Sequence, residues 1–381
     1  MRQETMTAKE RVEAAYRLEK PDRPPIVPLI IEGGAGVASL AGYSMAEVCA
    51  DTAVSRKALF KIFDDFGGWD QVYFGFLDAW EDVTSFMPME VRIPGVDLPD
   101  DSVMQTIENE DIKIEDYYKI LDMGFFNYYY QDHLKRITHR TPEEIAAFPQ
   151  LWKEHMSACT AECLKRGVEP HCGSGMFHPF FMLSLMRSMI RFTEDLYRRP
   201  ELVERVLQKM TDELIAMHVP IIKASGYNRV FFVEERSGGF FYPPAMQERF
   251  WWPYTQQFVD AFWSQGIFTV FHLDTNWDKN VHLFREKLPK ASFCLQLDST
   301  TDIFAAKEAM RGYAAIAGDV PAALFCLGEP DDVAAYVKRL IDKVGDDGGF
   351  VLDAGCSLPP HTKPENFKAF LETCKTYGLS K

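Results

Sequence analysis

"IFTVFHLDTNWDKNVHLFREKLPKASFCLQL", residues 267–297, contains the unit on which the fold turns. A short apolar run (267–273) breaks into a polar corner. A helical stretch follows from about 277 to 287, and then a second apolar run at 291–297. Runs of this kind, apolar throughout and bounded by helix, read as strands of a parallel sheet buried on both faces. The same alternation extends in both directions. Apolar runs at 26–31, 70–76, 168–173, 229–234, 267–273, 291–297, 313–318 and 349–355 are each followed by a helical pattern, including 143–166, 176–198, 200–225, 243–265, 302–311, 330–344 and 363–377. Eight βα units predict an α/β fold, a (β/α)8 TIM barrel. A doubly wound sheet is the competing architecture, but no Gly-rich dinucleotide turn follows the first strand.

One domain is expected over 1–381. It opens with a helix at 7–19 that "KPDRPP" stops, and it carries an insertion after the second strand at about 80–140. That insertion reads as short strands and turns rich in Asp, Pro and Gly, ending in the aromatic run "FFNYYY". It is expected to lie over one face of the barrel and to carry specificity.

Of the 381 residues, 47% are hydrophobic and 25% charged, as in an ordinary globular protein. No apolar stretch is long enough for a membrane span, and the charged N-terminus lacks an apolar signal region, so a cytoplasmic location is expected. A formal net charge of −15 argues against nucleic acid and against anionic membranes as partners. The eight cysteines show no framework spacing; most are expected to be reduced and inert, and one that matters will be a ligand or nucleophile.

In such a barrel the site lies at the C-terminal ends of the strands. Those ends present Glu32; His171, Cys172 and His178; Glu234 and Glu235; His272 and Asp274; Asp298; Asp319; and Cys356. Histidine, cysteine and carboxylate converging on a barrel mouth suit a Zn2+ site with an exchangeable position. Each residue also has a plain alternative. His272 fits a hydrogen-bonded strand-end histidine, Asp274 or Thr275 a helix cap, Cys356 a small buried hydrophobe, and Asp298 a capping turn. "HCGSGMFH" (171–178) is a weaker metal cluster, because adjacent His171 and Cys172 point to opposite sides of a strand. "NYYY" (127–130) and "GGFFYPP" (238–244), with Trp251 and Trp252, fit either core or an aromatic-binding pocket.

"TAKERVEAAYRLEKPDRPPIVPLI", "GDVPAALFCLGEPDDVAAYVKRLI" (318–341) and "GGFVLDAGCSLPPHTKPENFKAF" (348–370) resemble, in this order, the opening helix and strand, a Gly-Asp-x-x-Pro segment and the closing strand of uroporphyrinogen decarboxylase-like proteins. The resemblance runs through most of the chain and is weakest over about 80–140. The family's decarboxylases hold an acidic tetrapyrrole with arginines in the loop after the first strand. Here that loop, "IIEGGAGVASLAGYS", offers Glu32 and no arginine. The thiol-methylating branch typically has His-x-Cys-Gly-Asn after the fifth strand and Gly-Cys after the eighth. "HLDTN" and "AGC" place His272 and Cys356 on ligand positions, with Asp274 where that branch has cysteine and Asp298 on the acidic position after the next strand.

A carboxylate in place of a thiolate leaves zinc harder and more Lewis-acidic, which suits activation of a methoxyl oxygen. The resemblance therefore implies a zinc-dependent methyltransferase of an O-demethylase system. It would move methyl from a methoxylated, aromatic small molecule to the cob(I)alamin of a partner corrinoid protein. His272, Asp274 and Cys356 are the expected metal ligands, with Asp298 a fourth or exchangeable one. Glu234 or Glu235 would orient the substrate or protonate the leaving oxygen, and Glu32, Glu235, Asn276 and Trp277 would face the substrate. The alternatives are methyl transfer from a methyl-corrinoid to a thiol or folate, and porphyrinogen decarboxylation.

Overall fold

The computed structural model describes residues 3–30, 34–74, 88–138 and 140–380. Its strands are Gln71–Val72 (β1), Glu90–Arg92 (β2), Gln105–Ile107 (β3), Glu169–Pro170 (β4), Ser174–Phe177 (β5), Arg229–Glu234 (β6), Phe268–Leu273 (β7), Phe293–Leu297 (β8), Ala315–Val320 (β9) and Phe350–Ala354 (β10). β5 to β10 lie side by side, all parallel, in chain order. β1 pairs in parallel with β4.

Single links close the ring. Ile26 bridges Leu352, with Val27 N donating to Leu352 O (2.9 Å) and Leu352 N to Pro25 O (2.8 Å). Asp70 N donates to Ile26 O (2.8 Å), His171 N to Val72 O (2.9 Å) and Gly173 N to Arg229 O (2.8 Å). The eight apolar runs therefore follow one another around a (β/α)8 barrel, as the alternation predicts. Every residue of β6 to β10 is buried, which is why those runs show no polar alternation.

The opening helix, Ala8–Tyr16, is held by a capping box between Thr7 and Glu10. Its Arg11 and the turn's Arg23 converge on Asp70, with Nη1 atoms 2.6 and 2.7 Å from the carboxylate, while Ile26 N donates to the same group at 2.7 Å. All three charged side chains are buried. "PDRPP" thus does more than stop a helix: it ties the first barrel strand to the second.

Several boundaries differ from the sequence reading. The third strand is two pieces, β4 and β5, and the next helix starts at Pro179 and breaks at Ser188 before Met189–Arg198. A side chain at Gly173 would meet Ser225 Oγ and Tyr227 O at 2.4 Å, so the strand is interrupted where the wall presses on the end of helix Pro200–Ser225. β9 runs two residues further than expected. Asp319 therefore lies within it and accepts from Tyr336 in the helix layer (2.9 Å) instead of serving the mouth. In the insertion, β2 and β3 form an antiparallel pair. The "FFNYYY" run is helical, with Phe125–Tyr128 passing into a π turn at Tyr129–His133.

Candidate metal centre at the barrel mouth

Strand register sets the site. Val233, His272 and Gln296 are partners across β6, β7 and β8, so their side chains share one side of the wall. Phe271 and Leu273 lie on the other side, where Phe271 packs on Phe284 at 5.4 Å. His272 is therefore turned into the barrel at the end of β7. Its Nδ1 lies 2.8 Å from Gln296 Oε1, an atom that only accepts, so Nδ1 carries a proton. The amide is in turn oriented: its Nε2 donates to Asp353 and to Tyr73 Oη (2.9 Å), and Leu29 N donates to Asp353 at 2.6 Å. With Nδ1 committed, Nε2 is the nitrogen free to bind a ligand.

Nε2 faces Asp274 Oδ1 at 3.2 Å and Cys356 Sγ at 3.9 Å, and the three ligand atoms all lie within 4.8 Å of one another. Asp274 Oδ1 is buried and makes no aligned hydrogen bond. The contact with His272 is one of charge. Burial works against a proton on His272, but the Asp274 carboxylate outweighs it and holds the imidazole well above its ordinary range. The same pairing draws Asp274 below the usual carboxylate range, against its own burial. A histidine with its tautomer fixed, an orphaned carboxylate oxygen and a thiol at these spacings match the roughly 3–4 Å between neighbouring ligands of a tetrahedral zinc, whose bonds are about 2.0–2.3 Å. The donor set fits zinc.

The backbone around the cluster is braced. Thr275 has φ +67°, and its N donates to Asp298 Oδ2 at 2.7 Å. The other oxygen of Asp298 takes Thr300 N and Oγ1, at 2.9 and 2.6 Å. A side chain at Gly355 would meet Asp298 O at 2.9 Å, so glycine lets the two loops touch and brings Cys356 across. Asp298 thus holds the loop and is not one of the clustered ligand atoms.

The other expected site residues separate. Glu234 and Glu235 are neighbours at a strand end and point to opposite sides. Glu234 faces the helix layer, 1% exposed, and takes Arg236 N, Ser237 N and Trp251 Nε1 at 2.9–3.0 Å. That geometry corrects the catalytic role expected of it: both oxygens serve the fold. Glu235 lies in the field of Asp274 and His272, and burial, followed by Asp274, pushes it up to about 7. Trp277 and Asn276 also need correction. Trp277 is wholly buried against Trp251 and Phe284, with ring centroids 5.4 and 5.8 Å away, and its Nε1 donates to Asp274 O at 2.9 Å. Asn276 spends its amide on Asp278 and Thr300 O, both at 2.7 Å. Glu32 lies outside the described residues.

The weaker cluster disperses. His171 stacks on Tyr73 inside the barrel at 4.0 Å, Cys172 lines a cavity on the barrel flank, and His178 caps helix Pro179–Met186. Trp251 and Trp252 are core, while Tyr129 and Tyr130 line the same flank cavity. Sequence reasoning missed Gln296 and Asp353. Their signal was a polar residue inside a strand otherwise apolar and buried, with Gln296 in register with His272.

Comparison with known proteins bears on the fold and the family. Residues 136–377 match the family model described as uroporphyrinogen decarboxylase (URO-D). Among curated proteins the chain is similar to the methylcobamide:CoM methyltransferase MtbA of Methanosarcina acetivorans, 24% identical over 56% of this chain and 60% of that protein. It is similar to the uroporphyrinogen decarboxylase of Alcanivorax borkumensis, 30% identical over 46% and 49%. It also resembles MtbA of Methanosarcina mazei, 27% identical over 38% and 39%. The matched stretches thus span less than two thirds of each relative's own length. A solved methyltransferase from Methanosarcina mazei superposes over 98% of this chain and 99% of its own with a TM-score of 0.72 at 17% identity, a likeness of fold. With more than half of its length matched and the barrel intact, the chain belongs to the uroporphyrinogen decarboxylase family.

Proposed function

We propose that this chain is the substrate-side methyltransferase of an O-demethylating system, moving a methyl group from a methoxylated aromatic molecule to the cob(I)alamin of a partner corrinoid protein. The observation that carries this reading is Asp274, a carboxylate beside His272 and Cys356 with one buried oxygen lacking any aligned hydrogen bond. His272 Nε2, Asp274 Oδ1 and Cys356 Sγ would hold zinc, which supplies Lewis acidity toward the donor's ether oxygen. Gln296 holds the Nδ1 proton, so that when Nε2 gives up its own proton to a metal the lone pair is on Nε2. Glu235, partly buried beside the cluster, would be the proton source for the leaving oxygen.

In the overall step the methyl carbon–oxygen bond breaks. The methyl group would pass to the partner's corrinoid, the bonding pair would stay on oxygen, and the Glu235 proton would complete the phenol. The loop after the first strand carries Glu32 and no arginine, an arrangement suited to a donor that is not polyanionic.

A second reading has support in the MtbA relatives, which are named as methylcobamide:CoM methyltransferases. On that reading the chain would take methyl from a methyl-corrinoid to a thiol. One pair of assays separates the two. Purified protein is mixed either with cob(I)alamin and a methoxyarene or with methylcobalamin and a thiol. The proposal expects methylcobalamin and free phenol in the first mixture. Fast demethylation in the second, with no reaction in the first, would overturn it.

A further inference from the structure

Among the described residues, the barrel wall is zipped between its second and third strands only at its lower end. β1 and β4 pair over two residues each, and the last link is His171 N to Val72 O. Beyond that point β5 is an edge strand, paired with β6 on one side alone among the described residues. A cavity of about 1060 Å3 lies against this edge, bounded by helices Pro142–Lys165 and Pro200–Ser225 and by the insertion's turn at Tyr129–His133. Phe74, Tyr129, Phe148, Trp152, Phe177 and Tyr227 supply aromatic walls, and four methionines fill between them. Lys153 is the only lysine, arginine or carboxylate among the described lining residues, and it is exposed. No member of the His272–Asp274–Cys356 cluster lines the cavity.

One polar feature interrupts this surface. His218 is 6% exposed, and its Nδ1 lies 2.9 Å from Ser174 Oγ. Burial pushes the imidazole down to about 4, so it is neutral at pH 7. The bond to Ser174 is the one hydrogen bond His218 makes among the described residues, which leaves Nε2 without a protein partner on a side chain that lines the cavity. Nε2 opens to the cavity, where a ligand group can pair with it. Beside it, Gly175 on β5 offers bare backbone against which a flat molecule can lie.

We propose that this flank cavity is a binding site for a neutral, planar aromatic molecule bearing one hydroxyl or carbonyl group, with His218 Nε2 as its polar anchor. Aromatic and thioether walls favour flat π surfaces. Among the described lining residues none is a buried charge, so none would offset the desolvation of an ionised ligand. The volume is at the upper end of small-molecule pockets, roughly 300–1,000 Å3. The site shares no described lining residue with the metal cluster, and the inference does not rest on methyl transfer.

Calorimetric titration of the full chain with 2-naphthol tests it. The expected result is saturable 1:1 binding that a metal chelator leaves unchanged. His218→Phe keeps the shape and removes the anchor, and should weaken binding about tenfold. Ala224→Trp, on the exposed rim, should abolish it by filling the space, with the thermal transition retained as the check on folding. The ionised analogue 2-naphthoate should bind at least tenfold more weakly. Absence of saturable binding, or binding that neither substitution alters, or naphthoate binding as tightly as naphthol, would overturn the proposal.

Discussion

Replacing Trp277 with phenylalanine separates a core residue from a substrate-facing one. The indole is wholly buried between Trp251 and Phe284, and its Nε1–H is the donor that fixes the Asp274 carbonyl. Phenylalanine keeps a ring in the aromatic cluster but leaves that carbonyl without its donor, a loss of about 1 kcal/mol. The space vacated by the larger ring adds roughly 1–2 kcal/mol. Trp277→Phe should therefore lower unfolding stability by about 2–3 kcal/mol in chemical denaturation. The Asp274 carboxylate stays in place because Thr275 N remains bonded to Asp298, so zinc affinity should fall less than tenfold and the KM for a methyl donor should hold. Unchanged stability together with a tenfold rise in KM would refute the reasoning and return Trp277 to the substrate pocket.

Gln296→Leu removes the acceptor that keeps the His272 proton on Nδ1, and should weaken zinc binding about 10- to 100-fold in a chelator competition while the melting temperature stays within a few degrees; unchanged affinity would show that the amide does not position the ligand. Asp70→Asn removes the buried carboxylate between Arg11 and Arg23, leaving Asp22 and Glu4 as their remaining charge partners, and should cost about 3 kcal/mol in urea denaturation. Glu234 gives a pH signature: burial raises it from 4.5 to about 7 in the folded chain, so its contribution to stability is fully present below about 4.5 and is lost as pH rises through 7. That amounts to about 3 kcal/mol at 1.36 kcal/mol per pH unit, and Glu234→Gln should flatten the wild-type decline in stability between pH 5 and pH 8. An identical slope in both proteins would place the titration elsewhere.

The barrel was legible where strands are buried on both faces. β6 to β10 fill continuous apolar runs, and helix boundaries fell on prolines and glycines that carry their own stereochemistry. The third strand was legible only in its first piece, β4; its break and β5 were not, because "HCGSG" has too little apolar surface to mark a strand and is shaped by a helix end far along the chain. The convergence of His272, Asp274 and Cys356 was legible, since strand ends meet at the mouth of a barrel. Choosing between Glu234 and Glu235 needed only strand parity: Glu234 shares a face with Phe232, which packs outward on Phe258. Parity likewise sets Gln296 on the face of His272. The burial of Trp277 lay beyond such rules, because a loop has no period and a tryptophan beside a polar corner suits either a pocket or a core.

The central claim is that one zinc ion at His272, Asp274 and Cys356 activates a methoxyarene for transfer to cobalt. The most direct measurement is a single-turnover reaction of wild type and Cys356→Ala with cob(I)alamin and a methoxyarene, with zinc counted in each sample. The account predicts about one zinc per chain and methylcobalamin formation in the wild type, with both lost in the variant. A variant that retains its zinc and still methylates cobalt would contradict it.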